Sequence, residues 1–342
     1  MEASKDTANT ASNWRQIVAS YQNPDTRKSI WQLINSFGGY LLMWVLMALS
    51  LKVSYWLTLA LSPIAAGFLV RIFIIFHDCG HGSFFKSSKA NHLVGTITGI
   101  LVFTPYFLWR QSHAIHHATA ANLDRRGVGD VWTMTVEEYL QASPWKRFVY
   151  RAYRNPVLMF GIGPVVMFVF SQRLPTRKYK KREQNSVHWT NLGLVVLGAA
   201  VSLMIGFKAF VLIQLPVIWI AASMGVWLFY VQHQFEDVYW DRAREWEFVK
   251  AGLEGSSFYK LPKVLQWFSG NIGFHHIHHL SPRIPNYKLE TCHKENEIFQ
   301  IEPVNLLGSL KSINFRLWDE VNGRMIHFRH LKKLKSDPAR IG

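Results

Sequence analysis

Cysteine is close to absent. Only Cys79 and Cys292 occur in 342 residues, too few for a disulfide framework, a thiolate zinc cage or an iron–sulfur cluster. Both fall on the side assigned below to a reducing compartment, so both are expected as free thiols. Charge is scarce as well: charged residues make up 18 %, against roughly 25 % in soluble domains. The deficit is concentrated in long apolar blocks, which excludes an ordinary soluble enzyme. Acid is the scarcer sign, with 22 Asp and Glu against 38 Lys and Arg, a formal charge of +16. No basic module with a nucleic-acid signature accounts for that excess, so no nucleic-acid partner is expected. The cations instead border the apolar blocks, as on a face lying against anionic lipid or meeting an acidic redox partner. A Gly-rich nucleotide loop, an internal repeat and a low-complexity tract are missing too. The segment 1–30 is polar, with Asp6, Asn13, Arg15 and Asp25, and does not read as a secretory signal.

What the chain has in quantity is apolar and aromatic: 49 % hydrophobic residues and 14 % Phe, Trp and Tyr. Apolar blocks run over 37–51, 55–76, 93–109, 156–170, 192–206 and 209–231. A membrane span needs about 20 residues. The second and sixth blocks suffice outright, and the first and fifth suffice with their flanks. The third and fourth are interrupted by Pro105 and Pro164. Arg173, Arg177, Lys178, Lys180, Lys181 and Arg182 put six cations into ten residues, which assigns that loop to the cytoplasm. If the third and fourth blocks both crossed, the region between them would lie outside, away from the other histidine clusters. The expected fold is therefore an all-α integral membrane protein of a single domain. It has four transmembrane helices in two hairpins, about 34–76 and 190–231, with the third and fourth blocks interfacial or re-entrant. A cytoplasmic cap follows from 77–189 and 232–342.

Histidine is clustered. HDCGH places His77 and His81 directly after the second span, HAIHH holds His113, His116 and His117, and HHIHH holds His275, His276, His278 and His279. At i, i+3, i+4 three imidazoles share one helical face. Chance would supply an HxxHH match about 0.03 times in such a chain, and two occur. Eight converging imidazoles repel when protonated and lose hydration when neutral, so only a cation repays the arrangement. Imidazole suits Zn, Cu, Fe and Ni. A zinc protease motif would need Glu at 78, where Asp78 stands. Eight ligands are too many for one ion and right for two, and two adjacent ions that change valence point to iron and oxygen chemistry. His92, His188, His293, His327 and His330 read as satisfied interface or surface residues, and Arg71 as a cation snorkelling to the headgroups.

HDCGH, HAIHH and HHIHH, in that order and with two spans between the second and third, resemble the histidine boxes of membrane fatty acid desaturases. HHATAANLDRRGVGDVW, GVWLFYVQHQFED and GSSFYKLPKVLQWFSGNIGFHHIHHLSPRIPNYKLE resemble the bacterial acyl-lipid class along nearly the whole chain. The resemblance implies a di-iron cap with nine histidine ligands: His77, His81, His117 and His279 on one iron, and His113, His116, His233, His275 and His278 on the other. The ninth, His233, belongs to no cluster and ends the last span. It also implies O2 as co-substrate, a cis double bond placed at Δ5 in acyl chains of membrane phospholipids, and a role in membrane fluidity and cold adaptation. Ferredoxin or flavodoxin would donate the electrons, because no fused carrier is visible. The enzyme would sit in the plasma membrane with its active site on the cytoplasmic side. Asp130 and Asn122, with Glu236 and Asp237 beside His233, are expected to orient ligand rings, and His276 to stand behind them. A di-iron hydroxylase or carotenoid ketolase would carry identical boxes. A histidine-rich metal transporter would instead place ligands inside the spans.

Overall fold

The structure is a computed structural model that describes residues 13–175 and 178–331. Arg177 of the basic loop, residues 1–12 of the polar N-terminal segment and residues 332–342 of the cap lie outside the described residues.

Among the described residues, four helices are long and apolar enough to cross a membrane: α1 (Thr26–Ser50), α2 (Tyr55–His81), α6 (Lys181–Ile205) and α7 (Phe207–His233). They pair as the two expected hairpins. Asp25 caps α1 by accepting from the N–H groups of Arg27 and Lys28, which starts the helix well before the apolar run. Ser54 caps α2, and Gly82 ends it in the left-handed conformation at φ 70°. The hairpin α1–α2 closes tightly. A Cβ on Gly39 would lie 2.1 Å from the Phe68 ring, so only glycine admits that approach. Met43 and Met47 pack there against Ala65, Ala66 and Leu69, and α7 adds Ile213, Val217 and Ala221. The opposite faces carry large apolar side chains in the open, among them Leu203 at 89 % and Met204 at 82 % exposed. Such a surface is stable only against lipid.

The interrupted blocks do not cross as straight helices. The third is split into α3 (Ser88–Leu101) and α4 (Tyr106–Thr119), bent by 101°. Phe103 takes φ 58° at the break, and Pro105, which has no N–H to donate, starts the new helix. The fourth follows α5 (Pro144–Tyr153) at a bend of 59° and continues in π-helical turns on either side of Pro164.

The cap joins what lies between and after the hairpins. Short helices α8 (His275–Leu280) and α9 (Asn286–Glu295) pack on it. Strands of two or three residues tie the C-terminal part down: Leu317–Asp319 pairs with Met134–Thr135 and with Arg324–Ile326, and Pro303–Asn305 pairs with Phe258–Lys260.

Candidate metal centre

The site forms where the helix ends converge. α2 delivers His77 and His81 from its last turn, α4 delivers His113, His116 and His117, α7 ends on His233, and α8 is little more than His275 to His279. Two groups of nitrogen atoms result. In the first, one ring nitrogen from each of His77, His81, His113, His117 and His278 lies within 4.8 Å of all the others. In the second, His116, His233 and His279 do the same. His275 joins that second group through its Nε2, 3.1 Å from Nε2 of His233. The groups adjoin, since the His117 and His279 rings stack at 4.1 Å.

All nine histidines expected from the resemblance are thus brought together, but their grouping departs from the one it implied. His113 and His278 fall in with the α2 pair, and His279 falls in with His233. The helix explains this: residues four apart share a face, so His113 and His117 both look towards α2. Adjacent residues diverge by about 100°, so His116 and His279 turn the other way from His117 and His278.

The donor set fits metal. Nε2 atoms face each other at 3.1 Å in the pairs His116–His233, His113–His117, His117–His278 and His233–His275. Two ligands at right angles on one ion about 2.2 Å away would be spaced this way, near ordinary metal–imidazole distances. Nε2 of His81 and of His279 is buried with no hydrogen-bond partner at all, a state that buried polar atoms rarely tolerate. Burial, reinforced by neighbouring imidazoles, holds His113, His117, His275, His278 and His279 well below the usual histidine range. They are therefore neutral at pH 7, the form that ligates.

Comparison with known proteins decides the family. The fatty acid desaturase family profile matches residues 54–300. A "fatty acid desaturase" of Bacillus subtilis (strain 168) is 51 % identical over 93 % of this chain and 90 % of its own length. The chain belongs to the membrane fatty acid desaturases. An "sn-1 oleoyl-lipid 12-desaturase" of Synechocystis is 29 % identical over 67 % of this chain and 66 % of its own. An "sn-1 acyl-lipid omega-3 desaturase (ferredoxin)" of the same organism is 27 % identical over 64 % and 61 %. This chain is accordingly a desaturase, an oxidoreductase whose histidine clusters could hold metal.

Around the clustered imidazoles, three groups contact histidine nitrogens from outside. Asp130 accepts from His116 Nδ1 at 2.5 Å. Asp78 lies 3.2 Å from His77 Nδ1, with its other oxygen accepting from the Asn286 backbone and side-chain amides at 2.7 and 2.8 Å. The Gly255 carbonyl stands 3.3 Å from His233 Nδ1. Sequence reasoning missed Asp78, although its place inside HDCGH was the available signal. Gly255 acts through its backbone, which leaves no signal.

The other expected orienting residues are elsewhere. Asn122 Oδ1 accepts from the Asp124 N–H at 3.0 Å, a local loop cap. Glu236 is exposed and lies 3.9 Å from Lys311, while Asp237 lines a surface cleft of about 530 Å³ with Arg242 and Lys250. His276 points away from both groups and contacts the Phe299 carbonyl at 2.8 Å. Among the remaining histidines, His92 meets the Tyr106 hydroxyl at 3.3 Å and His188 is exposed. Arg71, buried in α2, stacks 3.8 Å over Trp267 and donates to its carbonyl.

Proposed function

We propose that this desaturase introduces a cis double bond at Δ5 into acyl chains of membrane phospholipids, using O2, two irons and electrons from ferredoxin or flavodoxin. The observation that carries the reading is the pair of adjoining groups of buried imidazoles at the ends of α2, α4 and α7. Each turnover takes two hydrogens from a methylene pair. O2 accepts them with two further protons and two carrier electrons, leaving two waters.

An alkane C–H is beyond any acid or base, and bound iron supplies the activation of O2 that the reaction needs. The chain's own residues do the rest. Asp78, Asp130 and the Gly255 carbonyl engage the outer nitrogens of His77, His116 and His233, fixing a proton there and turning the inner lone pairs to the centre. Trp109 stacks 4.3 Å from His113 and lies against Phe73 and Phe76, and Phe229 covers His116 at 5.1 Å. This aromatic wall keeps water from the reacting carbon.

The excess of cations favours an acidic carrier, and relatives whose names carry "ferredoxin" support that class. The basic loop before α6 supports a centre on the cytoplasmic side; the proposed enzyme acts in the plasma membrane and serves membrane fluidity in the cold. The test is expression in a host lacking unsaturated lipids, with mass analysis of the products. A new double bond at carbon five supports the reading. A hydroxylated chain would move the protein to the hydroxylases, and a double bond elsewhere would overturn the Δ5 assignment.

A further inference from the structure

We infer that Arg154 is a positioning residue: its guanidinium ties together the two segments that carry His116 and His233, and so holds one of the two metal groups in register. Arg154 closes α5 and is buried at 2 % exposure. Among the described residues it forms no ion pair, which is unusual for a buried cation. Its two terminal nitrogens donate instead to four uncharged acceptors on three separate stretches of chain, while its Nε is buried without a partner. One guanidinium nitrogen donates to Gln234 Oε1 at 2.8 Å, to the Tyr230 hydroxyl at 3.1 Å and to the Phe315 carbonyl. The other donates to the Trp132 carbonyl at 3.3 Å.

Both hooks end on the same metal group. Gln234 is wholly buried, and its amide nitrogen donates to the His233 carbonyl at 2.9 Å and to Thr133 Oγ1 at 3.3 Å. His233 is thereby held at the end of α7. On the other side, Trp132 and Thr133 lie in the segment between Asp130 and the strand Met134–Thr135, and Asp130 grips His116. The Nε2 atoms of His116 and His233 face each other at 3.1 Å. The spacing between them is therefore set from behind by a single planar fork of donors, which a lysine cannot reproduce. Among the described residues, no hydrogen bond joins the five histidines of the other group to Arg154, Gln234, Trp132 or Thr133. The Phe315 contact and the Tyr230 hydroxyl, which donates to the Ser312 carbonyl at 3.0 Å, bind in a stretch of chain beyond the family profile's 54–300. The C-terminal segment thus has a part in shaping the centre.

The inference rests on the reading that both groups hold metal, so the wild-type metal content is measured first. Fewer than two ions in the active wild type would defeat that reading without touching the network. Given two ions, Arg154→Gln and, separately, Gln234→Met are purified and compared with His233→Ala and Tyr150→Phe. Tyr150 is buried nearby and bonds the Arg316 carbonyl and the Met134 N–H, but reaches no ligand histidine. Expected are about one ion per chain in both network variants, a spectrum of the remaining metal matching that of His233→Ala, and kcat down about 10- to 100-fold with little change in KM. Tyr150→Phe should keep both ions. Full metal with an unchanged spectrum in either network variant overturns the inference. Equal metal loss in Tyr150→Phe overturns it too, because general loosening of the cap would then explain the effect. If Arg154→Gln does not accumulate, Gln234→Met decides alone.

Discussion

Replacing Asp130 by Asn isolates the part a single carboxylate plays at the centre. Its side chain is 7 % exposed, with one oxygen 2.5 Å from His116 Nδ1 and the other accepting from the Gly127 N–H at 3.0 Å. Asn has one oxygen to offer where Asp has two. If that oxygen keeps His116, the amide N–H₂ confronts the Gly127 N–H; because Gly127 is exposed, water relieves most of that conflict. The larger loss is the charge. A hydrogen bond to a carboxylate contributes about 1.5–3 kcal/mol and a neutral one about 0.5–1.5, a difference of about 1–2 kcal/mol. With tenfold per 1.4 kcal/mol, metal held by His116 and its partners should bind about 5- to 30-fold more weakly. The assay is chelator competition on purified protein, following metal retained per chain. Asn122→Ala is the control, since the Asn122 side chain bonds the Asp124 N–H and no histidine; it should lower thermal stability slightly and leave metal affinity alone. Wild-type affinity in Asp130→Asn, or an equal drop in Asn122→Ala, would refute the reasoning.

His233→Ala should lose metal while His276→Gln keeps it, because His233 Nε2 faces the imidazoles of His116 and His275 whereas His276 Nε2 meets the Phe299 carbonyl; elemental analysis of the two proteins checks this. Gly95→Leu should lower the melting temperature in detergent. A Cβ there lies 2.1 Å from the Tyr106 ring, an overpacking that costs about 1–3 kcal/mol and displaces the hydroxyl bonded to the Cys79 carbonyl at 2.7 Å. Burial pushes His276 down to about 3. The unfolded chain therefore takes up a proton near pH 6.5 that the folded chain refuses. The stability contributed by the neutral ring is complete above about 6.5 and is lost as pH falls towards 3. Melting curves between pH 7 and 5 should slope downward, and His276→Gln, which does not titrate, should flatten that slope.

The chemistry was more legible in the sequence than the architecture around it. HDCGH and the two HxxHH triples declare their convergence through helical spacing alone, and four spans follow from the apolar blocks and the prolines. The grouping of the histidines was not legible, because it depends on which helix each face meets: His278 and His279 are neighbours in the chain and part company at the site. Polar residues near a box proved a poor guide. Asp130 holds a ring, whereas Asn122 caps its own loop and Glu236 turns to Lys311, since short polar side chains serve turns as readily as ligands. The backbone carbonyl of Gly255 and the long reach of Arg154 from α5 leave no trace in residue type or spacing.

The central claim is that two iron ions sit among these imidazoles. Iron quantification and Mössbauer spectroscopy on active protein purified from cells grown with the iron isotope ⁵⁷Fe test it most directly. Two irons per chain, in two nitrogen-rich environments and both responsive to reduction, is the predicted result. One equivalent of zinc with no iron in protein that still desaturates lipid would contradict it.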